Sequence, residues 1–333
     1  MKLFTDSGYL NVPEIIGAGY TFNIILSGRG VGKTFGFLKW LRDQAAADQG
    51  RFGYLRRLQT QIDICGKAEF NPFKRLDSVY HMTTTVKSIS KYSSGFYDGD
   101  LKLLGYGLAL STFGSLRGFD GSDIDYILFE ECIPKIGEHR LKQEAALLWD
   151  AYETINRNRE LEGKTAVKCI MLGNANKISN PYFTGWHCMR RVLRMIQGKQ
   201  FVWRSDDRTR MIILLLESPV SARKADTVLY KNANQDFISM ALDNAFRTDE
   251  TKIKSEPLKE FTHIVSVGEI GIYKHKTERR YYVSSTVGQP FYEAFGIGLK
   301  MFQLDYYMLR VYYMVNKKYF SLEPQGFFGG AFS

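Results

Sequence analysis

The octapeptide Ser27-Gly28-Arg29-Gly30-Val31-Gly32-Lys33-Thr34 constrains this chain more than any other stretch. It follows the short apolar run Phe22-Asn23-Ile24-Ile25-Leu26, which reads as a buried strand. It precedes a segment in which Phe37, Leu38, Leu41 and Ala45 recur at helical spacing. Strand, glycine-rich turn, then Gly-Lys-Thr opening a helix is a phosphate-binding loop. Gly28, Gly30 and Gly32 allow backbone N–H groups to curl around phosphate oxygens, and the helix N-terminus adds positive potential. Lys33 is expected to reach the β- and γ-phosphates of ATP, and the Thr34 hydroxyl to ligate Mg²⁺. The pattern departs from its usual form at its first position, where Ser27 stands in place of glycine.

A loop that binds phosphate needs a second element to hydrolyse it. The run Asp125-Tyr126-Ile127-Leu128-Phe129-Glu130-Glu131 is an apolar strand ending in two carboxylates. In this layout Glu130 holds Mg²⁺ and Glu131 orients and deprotonates the attacking water. Most phosphate-loop enzymes have Asp where Glu130 stands, so the metal shell must accommodate one extra methylene. A further buried strand, Val167 to Leu172, leads into Gly173-Asn174-Ala175-Asn176, where Asn174 is placed to sense the γ-phosphate. A helix is predicted from Glu138 to Ile155, with Arg157-Asn158-Arg159-Glu160 at its end. Basic residues there also suit the helix dipole.

The rest of the chain is read around these motifs. Tyr54-Leu55-Arg56-Arg57 closes a second strand, and its arginines are either a solvated strand end or, at Arg56, a nucleic-acid contact. Asp98-Gly99 marks a hairpin, after which Leu103 to Leu110 returns as a strand. Ser111 to Gly118 is a loop whose hydroxyls and Arg117 could touch phosphate. Residues 1–21 are turn-rich and could line a nucleotide base. Strands alternating with helices through about residue 185 predict an α/β domain with a mainly parallel sheet and the nucleotide at the C-terminal strand ends. Residues 186–250, rich in Arg and Lys at first, read as a linker. Strand signals at Phe261 to Val267, Gly271 to Tyr273 and Arg279 to Thr286 make 251–333 a small α+β domain, with a glycine-rich tail at 325–330. Four cysteines without a CxxC pair and scattered histidines argue against disulfides and zinc. No apolar run approaches a membrane span and no secretion signal opens the chain. The net charge of +10 favours a polyanionic partner.

Taken together, these segments resemble the DNA-packaging ATPases of phi-twenty-nine-like podoviruses, a terminase-like ASCE P-loop family. The resemblance rests on Gly28 to Thr34, Tyr54-Leu55-Arg56-Arg57, Phe129-Glu130-Glu131, Arg157-Asn158-Arg159-Glu160, and Gly173-Asn174-Ala175 with Asn180-Pro181-Tyr182-Phe183. It implies a homomeric, pentameric ring docked on a procapsid portal in the host cytoplasm, driving double-stranded DNA inward by ATP hydrolysis, with a packaging RNA as a further partner. It implies that Arg157 acts in trans on a neighbour's ATP, that Arg29 touches the γ-phosphate, and that Arg117 contacts DNA or a neighbouring nucleotide. The C-terminal domain is then expected to be a vestigial RNase H-like fold without nuclease activity, because Phe261 to Val267 carries no acid, Glu269 stands apart from other acids, and Ser284 and Ser285 occupy the later strand. Other P-loop translocases or helicases, a P-loop kinase, and a DNA-binding scaffold with a degenerate loop are the competing readings.

Overall fold

The computed structural model describes the chain apart from residues 29, 117, 135–137, 139–140, 175–179, 216–217, 220–226, 229–257, 268–269, 279–280, 285–319 and 323–333. It divides into two compact units, Met1–Phe246 and Arg247–Ser333.

The first unit opens with α1 (Val12–Gly17), then β1 (Phe22–Ser27), α2 (Lys33–Ala46), β2 (Arg51–Arg56), the short α3 (Gln59–Asp63) and α4 (Lys74–Tyr80). An antiparallel meander follows: β3 (Thr85–Ser90), β4 (Ser93–Tyr97) and β5 (Leu103–Ala109). Next come β6 (Ile124–Glu130), α5 (Glu144–Asn156), β7 (Lys168–Asn174), α6 (Pro181–Gly185), α7 (Met189–Gln197), β8 (Val202–Arg204) and β9 (Arg210–Leu215). All nine strands form one sheet, in the order β3-β4-β5-β2-β6-β7-β1-β9-β8. From β5 to β9 every neighbour pairs in parallel, so the sheet is mainly parallel with antiparallel edges.

Side chains alternate across β1, so Ile24 and Leu26 enter one core and Ile25 the other. The first core lies under α5, α6 and α7, and the second under α1 and α2. A parallel sheet covered on both faces explains the near-continuous apolar runs of its central strands. Phe22 of β1 aligns with Cys169 of β7 and Arg210 of β9. β6 lies one strand further along, on the other side of β7. This stacking brings the C-terminal ends of β1, β6 and β7 together.

Three expectations are corrected here. Residues 186–215 are not a linker: α7 packs on the first core and β9 pairs with β1. The basic composition of 186–210 hid β9, whose apolar run Met211–Leu215 is fully buried. The predicted helix from Glu138 begins at Glu144, because Gln143 has a φ of 52° and a left-handed residue cannot sit inside a right-handed helix. The segment Ser111 to Gly118 is not wholly a loop, since Leu110–Ser115 is a 3₁₀ turn.

In the second unit, β10 (Phe261–Val267), β11 (Ile270–His275) and β12 (Tyr281–Ser284) form an antiparallel set, and β13 (Phe320–Leu322) adds in parallel to β12. Phe261, Tyr273 and Tyr282 form its described core. Glu269 and the glycine-rich tail lie outside the described residues.

Candidate active site

The turn after β1 is shaped by its glycines. Gly30 has a φ of 90° and Gly32 a φ of 79°, both left-handed. At Gly32 a Cβ would also stand 3.0 Å from the Tyr9 ring, so a side chain there would be both strained and crowded. Lys33, the first residue of α2, is buried; its ammonium donates to the Gly28 carbonyl at 3.1 Å and to the Ser27 hydroxyl. Ser27 in turn donates to the Gly28 carbonyl at 2.7 Å. The serine that departs from the usual motif therefore supplies a partner for the motif lysine. Burial pulls the Lys33 ammonium down to about 8, against the opposite pull of Cys132, Glu130 and Glu131. Arg29 lies outside the described residues.

Glu130 is the last residue of β6 and is 8% exposed. Glu131 follows with a φ of 49°, a left-handed conformation that costs a non-glycine residue about 1–2 kcal/mol. Backbone strain of this kind gathers at functional positions. Arg56, at the end of the adjacent β2, holds both carboxylates: one nitrogen lies 2.9 Å from Glu130 and another 3.0 Å from Glu131. The Tyr54 hydroxyl also donates to Glu130. Burial works against the Arg56 charge, but Tyr54, Glu130 and Glu131 outweigh it and raise the guanidinium above its usual range. Burial, then Glu130, pushes the Tyr54 phenol well up, so it stays a donor. Arg56 was read as a solvated strand end or a nucleic-acid contact; the structure pairs it with both carboxylates, with its side chain 15% exposed.

These groups face one cavity of about 1110 Å³, lined by Gly30, Gly32, Lys33, Thr34, Glu130, Glu131 and Asn174. Ser27 and Asn174 are direct neighbours in the sheet, which places Asn174 beside the loop. The far wall was not legible in the sequence beyond the general placing of residues 1–21. It consists of Tyr9 and Pro13 from the N-terminal segment, Phe35 from α2, and Arg75, Val79 and Tyr80 from α4. Tyr9, Val79 and Tyr80 are 45–52% exposed, unusual for such side chains. The Arg75 guanidinium lies 5.8 Å from the Phe35 ring centroid. No local signal marks α4, because its contribution depends on a helix some forty residues downstream folding back over α2.

Arg157 is elsewhere. It caps α5, is half exposed, and donates to the carbonyls of Phe119 at 3.0 Å and Thr154 at 3.3 Å. Arg159 binds Asp125 at 2.8 Å and the Ser122 carbonyl at 2.6 Å. These partners precede or open β6, so Arg157 sits at the N-terminal ends of the strands. The cavity sits at their C-terminal ends, a strand length of about 20 Å away for β6. Arg157 therefore cannot reach its own chain's phosphate loop. Arg117 lies outside the described residues. Arg57, read as a solvated strand end, is 1% exposed and pairs with Glu144 and, at 2.9 Å, with Glu138.

Residues 4–291 match the family of podovirus DNA encapsidation proteins (Gp16). The chain belongs to that family. The match to the Gp16 family runs through the loop, both carboxylates and Arg157, and into the second unit. The DNA packaging proteins of Bacillus phages PZA and phi29 are each 24% identical over 176 residues, 53% of this chain. That match covers 49% of each relative, so the chain spans about half the length of the curated relatives it matches. The solved Phi-28 gp11 DNA packaging motor is 21% identical and superposes with a TM-score of 0.61 over 95% of this chain and 94% of its own. The chain thus shares the fold of that packaging-motor protein.

Proposed function

We propose that this chain is the ATPase subunit of a ring motor that drives double-stranded viral DNA into a procapsid. The observation that carries this reading is the meeting of Lys33, Thr34, Glu130, Glu131 and Asn174 around one cavity in a chain of the DNA encapsidation family. The loop N–H groups and Lys33 bind the triphosphate of ATP, and Arg29 contacts the γ-phosphate. Glu131 accepts a proton from the attacking water and orients it in line with the γ-phosphorus. Asn174 reports whether the γ-phosphate is present. Thr34 and Glu130 supply hard oxygen donors at the phosphate end of the cavity, which suits Mg²⁺. Once bound, Mg²⁺ neutralises charge on the phosphates.

Arg157 completes the site of a neighbouring copy, stabilising charge that develops on the transferred phosphoryl. Its position at the N-terminal ends of the strands, away from its own cavity, supports action in trans. The ring is a pentamer on the procapsid portal in the host cytoplasm, Arg117 touches DNA or the neighbour's nucleotide, and a packaging RNA is a further partner. The C-terminal unit is a vestigial RNase H-like module without nuclease activity that binds DNA, portal or RNA.

The test is ATP hydrolysis by the full chain with and without double-stranded DNA. Stimulation by DNA is expected. Hydrolysis indifferent to DNA but accelerated by a small phosphate acceptor would favour a kinase instead, and metal-dependent nicking of DNA would overturn the assignment of the second unit.

A further inference from the structure

The basic segment read from sequence as part of a linker forms one surface of the first unit. Cys188, Val192 and Met195 turn inward from α7 and are almost fully buried. Arg190, Arg191 and Arg194 of the same helix, and His187 just before it, are all exposed. The chain then enters β8, the outermost strand at one edge of the sheet. Trp203 of β8 has the Arg191 guanidinium 5.5 Å and the Arg210 guanidinium 5.9 Å from its ring centroid. Exposed Arg204 and Arg208 follow in the β8–β9 hairpin. Residues 187–210 carry seven Arg and Lys against two acids, a net +5 within a chain whose total is +10.

The two acids, Asp206 and Asp207, lie in the turn between β8 and β9 and leave the segment with its net +5. Asp207 is occupied within the turn, accepting from the Ser205 hydroxyl and from the backbone and hydroxyl of Thr209. Among the described residues, no ion pair joins Arg191, Arg194, Arg204 or Arg208 to a carboxylate. Like charges at this density raise the local potential and repel one another until a polyanion covers them. The fixed fork of arginine matches phosphate oxygens better than a lysine ammonium does. Two guanidiniums already lie over the only tryptophan of the patch, so the surface offers charge rather than a platform for unpaired bases.

We propose that the α7–β8 face binds the sugar–phosphate backbone of duplex DNA, through Arg191, Arg194 and Arg204 in particular. The assignment shares with the proposed motor function the premise that the chain handles duplex DNA, and it adds a binding surface remote from the nucleotide cavity.

The experiment measures binding of the full chain to a fluorescein-labelled 40-base-pair DNA duplex of random sequence by anisotropy, from about 50 to 200 mM salt. Each phosphate left without its arginine lowers the slope of log affinity against log salt by about 0.9, so Arg191→Ala/Arg194→Ala/Arg204→Ala should flatten it by nearly three. A fall in affinity of about tenfold or more at the lower salt concentrations is expected with it. The corresponding triple lysine variant should keep most of the slope, which separates charge from a folding defect. ATP hydrolysis without DNA should be the same in all three proteins. Unchanged affinity and slope in the alanine variant would overturn the assignment, as would a lysine variant as defective as the alanine one, or a defect confined to a duplex RNA of equal length. Stimulation of hydrolysis by DNA in the unsubstituted chain tests the motor function separately: its failure with the salt-slope change intact would remove that function and leave this surface standing.

Discussion

Lys33 donates into the loop it belongs to, and burial holds its ammonium at about 8. The sign of the resulting pH dependence follows from the direction of the shift. Between about pH 8 and the ordinary lysine value of 10.5 the unfolded chain binds more protons than the folded one, so this residue's contribution to stability rises with pH across that window and its penalty is fully present below it. A triphosphate in the cavity would restore the charged form. Nucleotide binding should therefore take up protons at pH 8.5 and take up almost none at pH 6.5. Calorimetry in two buffers of different ionisation enthalpy reads this directly, and enthalpies independent of buffer at both pH values would contradict it. At the neighbouring carboxylate, Glu131→Gln should leave nucleotide binding within a few-fold of normal while hydrolysis falls by about 10²–10⁴. Single-turnover rates measure it, and near-normal turnover would move the base role to another residue. Lys33, Thr34, Glu130, Glu131 and Asn174 were legible in the sequence because each lies at or next to the end of a strand or the start of a helix within a short motif. The grip of Arg56 on Glu130 was not, since it joins residues 74 positions apart through the pairing of β2 with β6.

The element that ties distant parts of the first unit together is α5. Its first turn carries Glu144, 1% exposed and bound by the equally buried Arg57, and its end carries Arg157. Burial raises the Glu144 carboxyl in spite of the arginine, so the pair is held together against a desolvation cost. Removing one partner leaves the other charged and buried, and Arg57→Ala should cost about 3–5 kcal/mol in urea unfolding. Replacing both together, as Arg57→Met/Glu144→Leu, should cost clearly less than Arg57→Ala alone. A destabilisation below about 1 kcal/mol in the single variant would mean that water reaches the site. Sequence periodicity indicated this helix through Leu148 and Ile155, yet its start was misplaced by the left-handed Gln143, for which no periodic signal exists. The omission of β9 has a different cause. Its apolar run is short, and only pairing with β1 on the far side of the sheet distinguishes it from a buried loop.

At the scale of the whole molecule, Arg157 and the phosphate cavity lie at opposite ends of one sheet. If Arg157 serves a neighbour's site as proposed, mixing Arg157→Ala chains with Lys33→Ala chains should lower hydrolysis by unsubstituted chains more steeply than their dilution alone, because each defect would then reach across an interface. Activity proportional to the unsubstituted fraction would restrict each site to a single chain. The two-unit division was anticipated, while the boundary at Phe246 and Arg247 absorbs into the first unit most of what composition had set apart. On the proposed action in trans, the separation of Arg157 from the cavity has a geometric consequence. A chain that offers its arginine from one edge and receives one at the other docks head to tail, and such interfaces are heterologous. A two-fold pair presents the same patch from both partners, so it would not by itself bring this edge onto that cavity. Repetition of a head-to-tail arrangement has two ends: a closed cycle, in which every cavity is served, or an open helical chain whose last member always lacks a donor. Odd cycles are as accessible as even ones, and under the proposed role of Arg157 a copy lacking it would break the sequence at one defined place.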